Sequence, residues 1–288
     1  MKVVSFCLEQ GNKYYGKIDG QRFFIGTRVS YEGNKGLMNV SGAAAQRYDR
    51  STYRPTFGFW ADFIHPTATA EGALFHTLNT YDRAHFTFSF LQFAAHVPNG
   101  DFVVYLRSLL GLSLAKEYFP DLTLQNGRIC RDTDSGLVVP LESDASTSQL
   151  LDYLNPSLNE VEDTEVIQAA KFIHWAQNDA QHRQVQIEVG INLFKQKMLS
   201  YANRYGLDGV DDTICLVIAD IRHQGRAKSP IIELALQSPD PLEALLKIGE
   251  PTYHTRLVTL RREIKALIAD GTLGKRKYSV GKSDFVSK

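Results

Sequence analysis

Two carboxylates stand out as groups that could move a proton. Glu71 closes the stretch Phe59-Trp60-Ala61-Asp62-Phe63-Ile64-His65-Pro66-Thr67-Ala68-Thr69-Ala70, which is rich in aromatics and poor in charge. Asp82 follows a short excursion later, in Asn79-Thr80-Tyr81-Asp82. Apolar surroundings raise a carboxyl pKa and keep its proton available for donation. Cleavage of a glycosidic bond needs such an acid, often with a second carboxylate across the scissile bond. A third acid, Asp220, lies in Thr213-Ile214-Cys215-Leu216-Val217-Ile218-Ala219-Asp220-Ile221, a run apolar nearly all round. A buried acid there needs a cationic partner: Arg222, His223 or an arginine from another helix. In the plainer reading, Glu71 is a solvated helix residue and Asp82 a turn residue.

Other chemistries find less support. Cys7, Cys130 and Cys215 are far apart and form no C-x-x-C pair, so neither a redox motif nor a zinc knuckle is expected. Each has apolar neighbours and reads as a small buried residue. His65, His76, His85 and His96 follow one another without an H-E-x-x-H spacing, and no metal or cofactor is expected. With 32 basic and 32 acidic side chains in 288 residues, overall charge gives no sign of a nucleic-acid groove or a basic membrane surface. No apolar run approaches the length of a membrane span. The first nine residues read as a strand, not a signal peptide.

The elements that would position these groups follow from turn and period signals. Val3 to Glu9, Lys13 to Ile18 and Gln21 to Arg28 predict a three-stranded meander, with Asp19-Gly20 as a hairpin turn. Ser30 to Pro55 reads as an irregular connection with a short helix around Ala43 to Arg47. Phe57 to Ile64 predicts a helix that Pro66 disturbs. Ala73 to Leu78 and His85 to Phe88 predict a small hairpin. Phe90 to Val97 predicts an apolar helix, and Asp101 to Leu112 an amphipathic one. From Asp163 onward, helical stripes predict helices over Thr164 to Asn178, Gln181 to Tyr205, Asp211 onward, Pro230 to Leu236, Pro241 to Ile248 and Tyr253 to Asp270. The last 18 residues, rich in lysine, read as a mobile basic tail. The expected organisation is an N-terminal β-meander and connection over 1–56, a helical domain over 57–270 and a tail over 271–288. The fold class is mainly α, of the α+β kind.

An acid at a helix end, then a hairpin carrying Asp and Thr, then an apolar helix and a bundle around a buried central helix: this order resembles the lysozyme-like superfamily. That superfamily includes phage-type lysozymes, lytic transglycosylases and chitosanases. The resemblance spans roughly residues 57 to 225. Phe88-Ser89-Phe90-Leu91-Gln92 is similar to the Gly-Leu-Met-Gln stretch of transglycosylases and the Thr-Phe-Gly stretch of chitosanases. Two positions depart: Gly72 follows the Glu where transglycosylases carry Ser, and Ser89 stands where Gly is usual. The resemblance implies Glu71 as general acid, Asp82 as the water-positioning carboxylate and Thr87 as an assisting hydroxyl. Tyr81, Phe90, Gln92 and Trp60 would line a sugar cleft, and Asp220 would be a further polar group near it. The implied substrate is the glycan strand of peptidoglycan, with chitosan-like polymers second. An enzyme of this kind, made in the cytoplasm without a signal peptide, would act in the periplasm or wall after non-classical delivery. An antibacterial effector would also need an inhibitor or immunity protein as partner. Two other classes fit the same chain: a non-enzymatic helical interaction module using the meander for β-augmentation, and a Cys-dependent hydrolase.

Overall fold

The computed structural model describes residues 1–40 and 46–288. Of the helix expected around Ala43 to Arg47, the first three positions lie outside the described residues, and Arg47 forms a β-bridge with Leu74. The fold is α+β, with antiparallel sheets and helices. The chain divides into two units, Met1–Arg47 with Leu74–Val189 and Tyr48–Ala73 with Gly190–Lys288. These boundaries differ from the expected 1–56, 57–270 and 271–288.

The first unit is built on a seven-stranded antiparallel sheet in chain order: β1 (Ser5–Glu9), β2 (Lys13–Ile18), β3 (Gln21–Tyr31), β4 (Asn34–Asn39), β5 (Leu78–Asn79), β6 (Thr87–Phe88) and β7 (Phe93–Ala94). Asp19-Gly20 and Glu32-Gly33 both have positive φ at their two central positions, the geometry of a tight hairpin turn. The second of these turns adds β4, which lies inside the expected irregular connection. Met38 pairs with Asn79 and Asn39 with Leu78. The meander is therefore continuous with the internal hairpin and is no separate appendage. Gly36 permits this approach, because a Cβ there would lie 2.7 Å from the Thr80 carbonyl carbon.

Further elements of this unit are α3 (Asp101–Leu110), α4 (Ala115–Tyr118), the three-stranded sheet of β8 (Leu122–Gln125), β9 (Arg128–Asp132) and β10 (Val138–Pro140), α5 (Ser148–Leu154) and α6 (Asp163–Asn178). The core gathers Phe86, Phe88, Phe102, Tyr105 and Phe172, all fully buried. His174 and His182 belong to this core. Tyr118 Oη lies 2.8 Å from His174 Nδ1, and Tyr105 Oη lies 2.5 Å from His182 Nε2. Burial pushes both imidazoles below their usual pKa. Phe90 to Val97 is not a helix. It is a chain of turns with β7, and Ser89 and Gln92 have positive φ. A short apolar run buried on all sides carries no period that separates helix from strand.

Glu165, in the first turn of α6, ties this unit together. Its carboxylate accepts the Leu37 N–H at 3.1 Å and the Thr80 hydroxyl, while Oε2 is buried without a partner. Burial pushes its pKa up to about 7, and Glu162 adds to the rise. Between the unfolded carboxyl value, about 4.3, and 7, the folded state binds the proton more tightly than the unfolded one. Stability is therefore fully present below that window and falls as pH rises through it, by about 3–4 kcal/mol. Glu165→Gln is expected to flatten this slope. Urea unfolding at pH 5 and pH 8 checks it, and an unchanged slope would assign the pH dependence elsewhere.

The second unit contains α1 (Arg50–Phe57), α2 (Phe59–Ala70), the part of α7 (Ala180–Tyr205) from Gly190 onward, α8 (Asp212–Gln224), α9 (Ser229–Leu236), α10 (Pro241–Leu246), α11 (His254–Ala269) and the hairpin of β11 (Arg276–Ser279) and β12 (Asp284–Ser287). α2 runs through Pro66 instead of breaking there. The burial of Trp60, Phe63, Ile64 and Ala68 outweighs the one backbone hydrogen bond that proline forfeits. The expected mobile tail is the β11–β12 hairpin. Tyr278 and Phe285 face each other across it and are buried, with Phe285 against Phe59, Trp60 and Phe63. No helix among the described residues is long and apolar enough to cross a membrane.

Candidate functional site

Glu71 is the residue after the last turn of α2. Its N–H bonds back to Thr67. Gly72 and Ala73 then turn the chain at φ +89 and +58. Their N–H groups return to the carbonyls of Thr69 and Ala68, which closes the helix end. Gly72, a departure from the transglycosylase pattern, thus meets a backbone need that Ser would meet poorly.

The Glu71 side chain is 12% exposed and pairs with Arg256 of α11, which is 9% exposed. The aromatic, weakly charged setting expected for Glu71 is therefore corrected: its nearest charged partner is a guanidinium. Arg256 also grips Asp220 of α8 in a two-point contact, Nη2 to Oδ1 at 2.6 Å and Nε to Oδ2 at 3.3 Å. Asp220 is fully buried. It also accepts from the Thr67 hydroxyl at 2.9 Å and from Arg226, whose side chain has no exposure. Arg226 donates in addition to the Ile248 carbonyl at 3.1 Å. Burial pushes the Asp220 carboxyl up, but Arg256 and Arg226 outweigh it and hold it below the usual range. His223, on the same helix, is pushed down by burial, with Glu71 and Asp220 acting in the opposite sense.

The structure thus joins Glu71 and Asp220 through one arginine. Sequence reasoning placed Asp220 beside a cation, and an arginine from another helix is what it meets, together with Arg226. It did not find Arg256 or Arg226. Arg256 stands 185 positions from Glu71, and no local spacing links them. The completely buried acid on α8 was the available signal, since such a group demands a partner.

The other candidates from the sequence belong elsewhere. Asp82, Thr87, Tyr81, Phe90 and Gln92 lie in the first unit. Asp82 caps its own turn, accepting from Ala84 N–H at 2.8 Å and from the Asn79 amide at 3.1 Å. Thr87 is buried in β6, opposite Asn79 and Ala94. Tyr81 is half-buried, with its ring 6.1 Å from Tyr31. Gln92 is half-buried at φ +55. Phe90 has no exposure and packs on Phe75 at 5.2 Å, so it is core and not cleft lining. Trp60, in the second unit, is also core. Its indole N–H donates to Asp284 at 2.8 Å, and its ring packs on Phe63 and Phe285. Phe90→Ala is accordingly expected to cost about 3–5 kcal/mol of stability, read by urea unfolding. A cost near zero would return Phe90 to the surface.

The cysteines divide. Cys130 and Cys215 are buried, as expected, but Cys7 is exposed on β1 and its thiol lies 3.3 Å from Glu9. Comparison of the chain with protein-family models, with curated proteins and with solved structures finds no match in any of the three.

Proposed function

We propose that this protein is a glycoside-cleaving enzyme acting on the glycan strand of peptidoglycan, with Glu71 as its general acid. The observation that carries the reading is the buried relay Arg226–Asp220–Arg256–Glu71. Desolvating these charged groups costs stability, which a site that needs one fixed carboxyl would justify. The relay orients one such carboxyl at a helix end.

The backbone at Ser89 supports the lysozyme-like resemblance. Ser89 stands where that superfamily carries Gly, and its φ is +95, a value that glycine adopts readily and serine rarely. The conformation of the stretch has the form a glycine would give it.

In the proposed reaction Glu71 donates a proton to the glycosidic oxygen, the bond to the anomeric carbon breaks, water adds to that carbon, and the proton that water releases passes through solvent to restore Glu71. Digestion of purified peptidoglycan by the wild type, with soluble fragments identified by mass, tests the reaction class. Reducing-end muropeptides are expected. Anhydro sugars would make the enzyme a transglycosylase, and release from chitosan alone would move the substrate to that polymer.

A further inference from the structure

In the second unit, away from the Glu71 relay, α1, α2 and the β11–β12 hairpin enclose a pocket of about 470 Å³ lined by Arg54, Asp62, Thr272, Lys275, Arg276 and Ser287 among others. Its charges do not cancel. Asp62 is buried and matched twice, by Arg50 at 2.9 Å and by the side of Arg54 at 2.5 Å and 2.9 Å. Arg50 in turn meets Asp270 at 2.6 Å. Lys275 and Arg276 have no acidic partner among the described residues. The Lys275 ammonium lies over Gly271, 2.7 Å from where a Cβ would stand. The Arg276 guanidinium sits 4.8 Å above the Phe59 ring, which fixes its plane. Two like charges held beside one cavity repel each other unless an anion joins them.

We propose that this pocket binds a phosphate group, carried by a soluble phosphate ester or by a lipid headgroup. Two unmatched cations suit a dianion better than a single carboxylate. A planar guanidinium offers paired donors to two phosphate oxygens, and Ser287 also lines the pocket. The proposal is independent of the Glu71 reading, because none of its residues belongs to that relay.

Isothermal titration with inorganic phosphate, and with acetate, at one fixed ionic strength tests it. So does flotation with phosphatidic acid vesicles, whose phosphomonoester headgroup can carry the second charge. The proteins are the wild type, the double variant Lys275→Gln/Arg276→Gln and a control double variant, Lys265→Gln/Lys282→Gln, of equal charge. Phosphate binding is expected to weaken at least tenfold in the first double variant and to be unchanged in the control. The same pattern with vesicles, without free phosphate binding, assigns the group to a lipid. Should the double variant fail to fold, Lys275→Gln alone is read, since Lys275 is exposed; a threefold weakening is expected. The proposal is overturned if the wild type binds neither probe, if acetate binds as tightly as phosphate, or if the pocket and control variants bind alike.

Discussion

Asp220→Ala is expected to destabilise the protein by about 3–5 kcal/mol, because it strands buried arginines without their anion. The fall should appear as a lower urea midpoint. Arg226 suffers most, since its side chain has no exposure and one of its terminal nitrogens already lacks a partner. Arg256 retains Glu71. Asp220→Asn should cost less, because an amide oxygen still accepts from Thr67 and the guanidinium groups. The two variants also differ in acid. The wild-type Asp220 carboxyl is held below its usual range, so its contribution is present above the unfolded value, about 3.9. It is lost as pH falls through the depressed folded value. Asp220→Asn should lose that acid limb. A cost below about 0.5 kcal/mol for Asp220→Ala, within the range of ordinary surface changes, would mean that the relay holds nothing in place.

The helices after residue 160 were legible because their signals are local. The stripe from Thr164 to Asn178 matches α6 within a residue, and Gly206, at φ +66, stops α7 where a left-handed residue is needed. The β11–β12 hairpin was hidden by composition. Its lysines suggested a solvated tail, yet Tyr278 and Phe285 stand on one face of two short strands and fill the space beside α2. The Phe90 to Val97 stretch failed for the opposite reason: its apolar character is real, but positive φ at Ser89 and Gln92 is invisible in residue type. The candidate site was half legible. Glu71 and Asp220 stand out in the sequence as single acids in apolar runs, while Arg256 and Arg226 are joined to them only by tertiary packing.

Loss of the acid is the second large effect. Glu71→Gln keeps the shape of the side chain but removes the donatable proton, and a positioned general acid contributes about 10²–10⁴-fold to rate. A fall of about 10³-fold in soluble fragment release is therefore expected, with urea midpoints close to wild type because Arg256 still meets an amide oxygen.

The direct measurement is fragment release from purified peptidoglycan by wild type and Glu71→Gln side by side, both shown to be folded by circular dichroism. Release by the wild type, with the variant reduced about 10³-fold, is the predicted result. Equal release by both proteins would contradict it and leave the Glu71–Arg256 pair a purely structural contact.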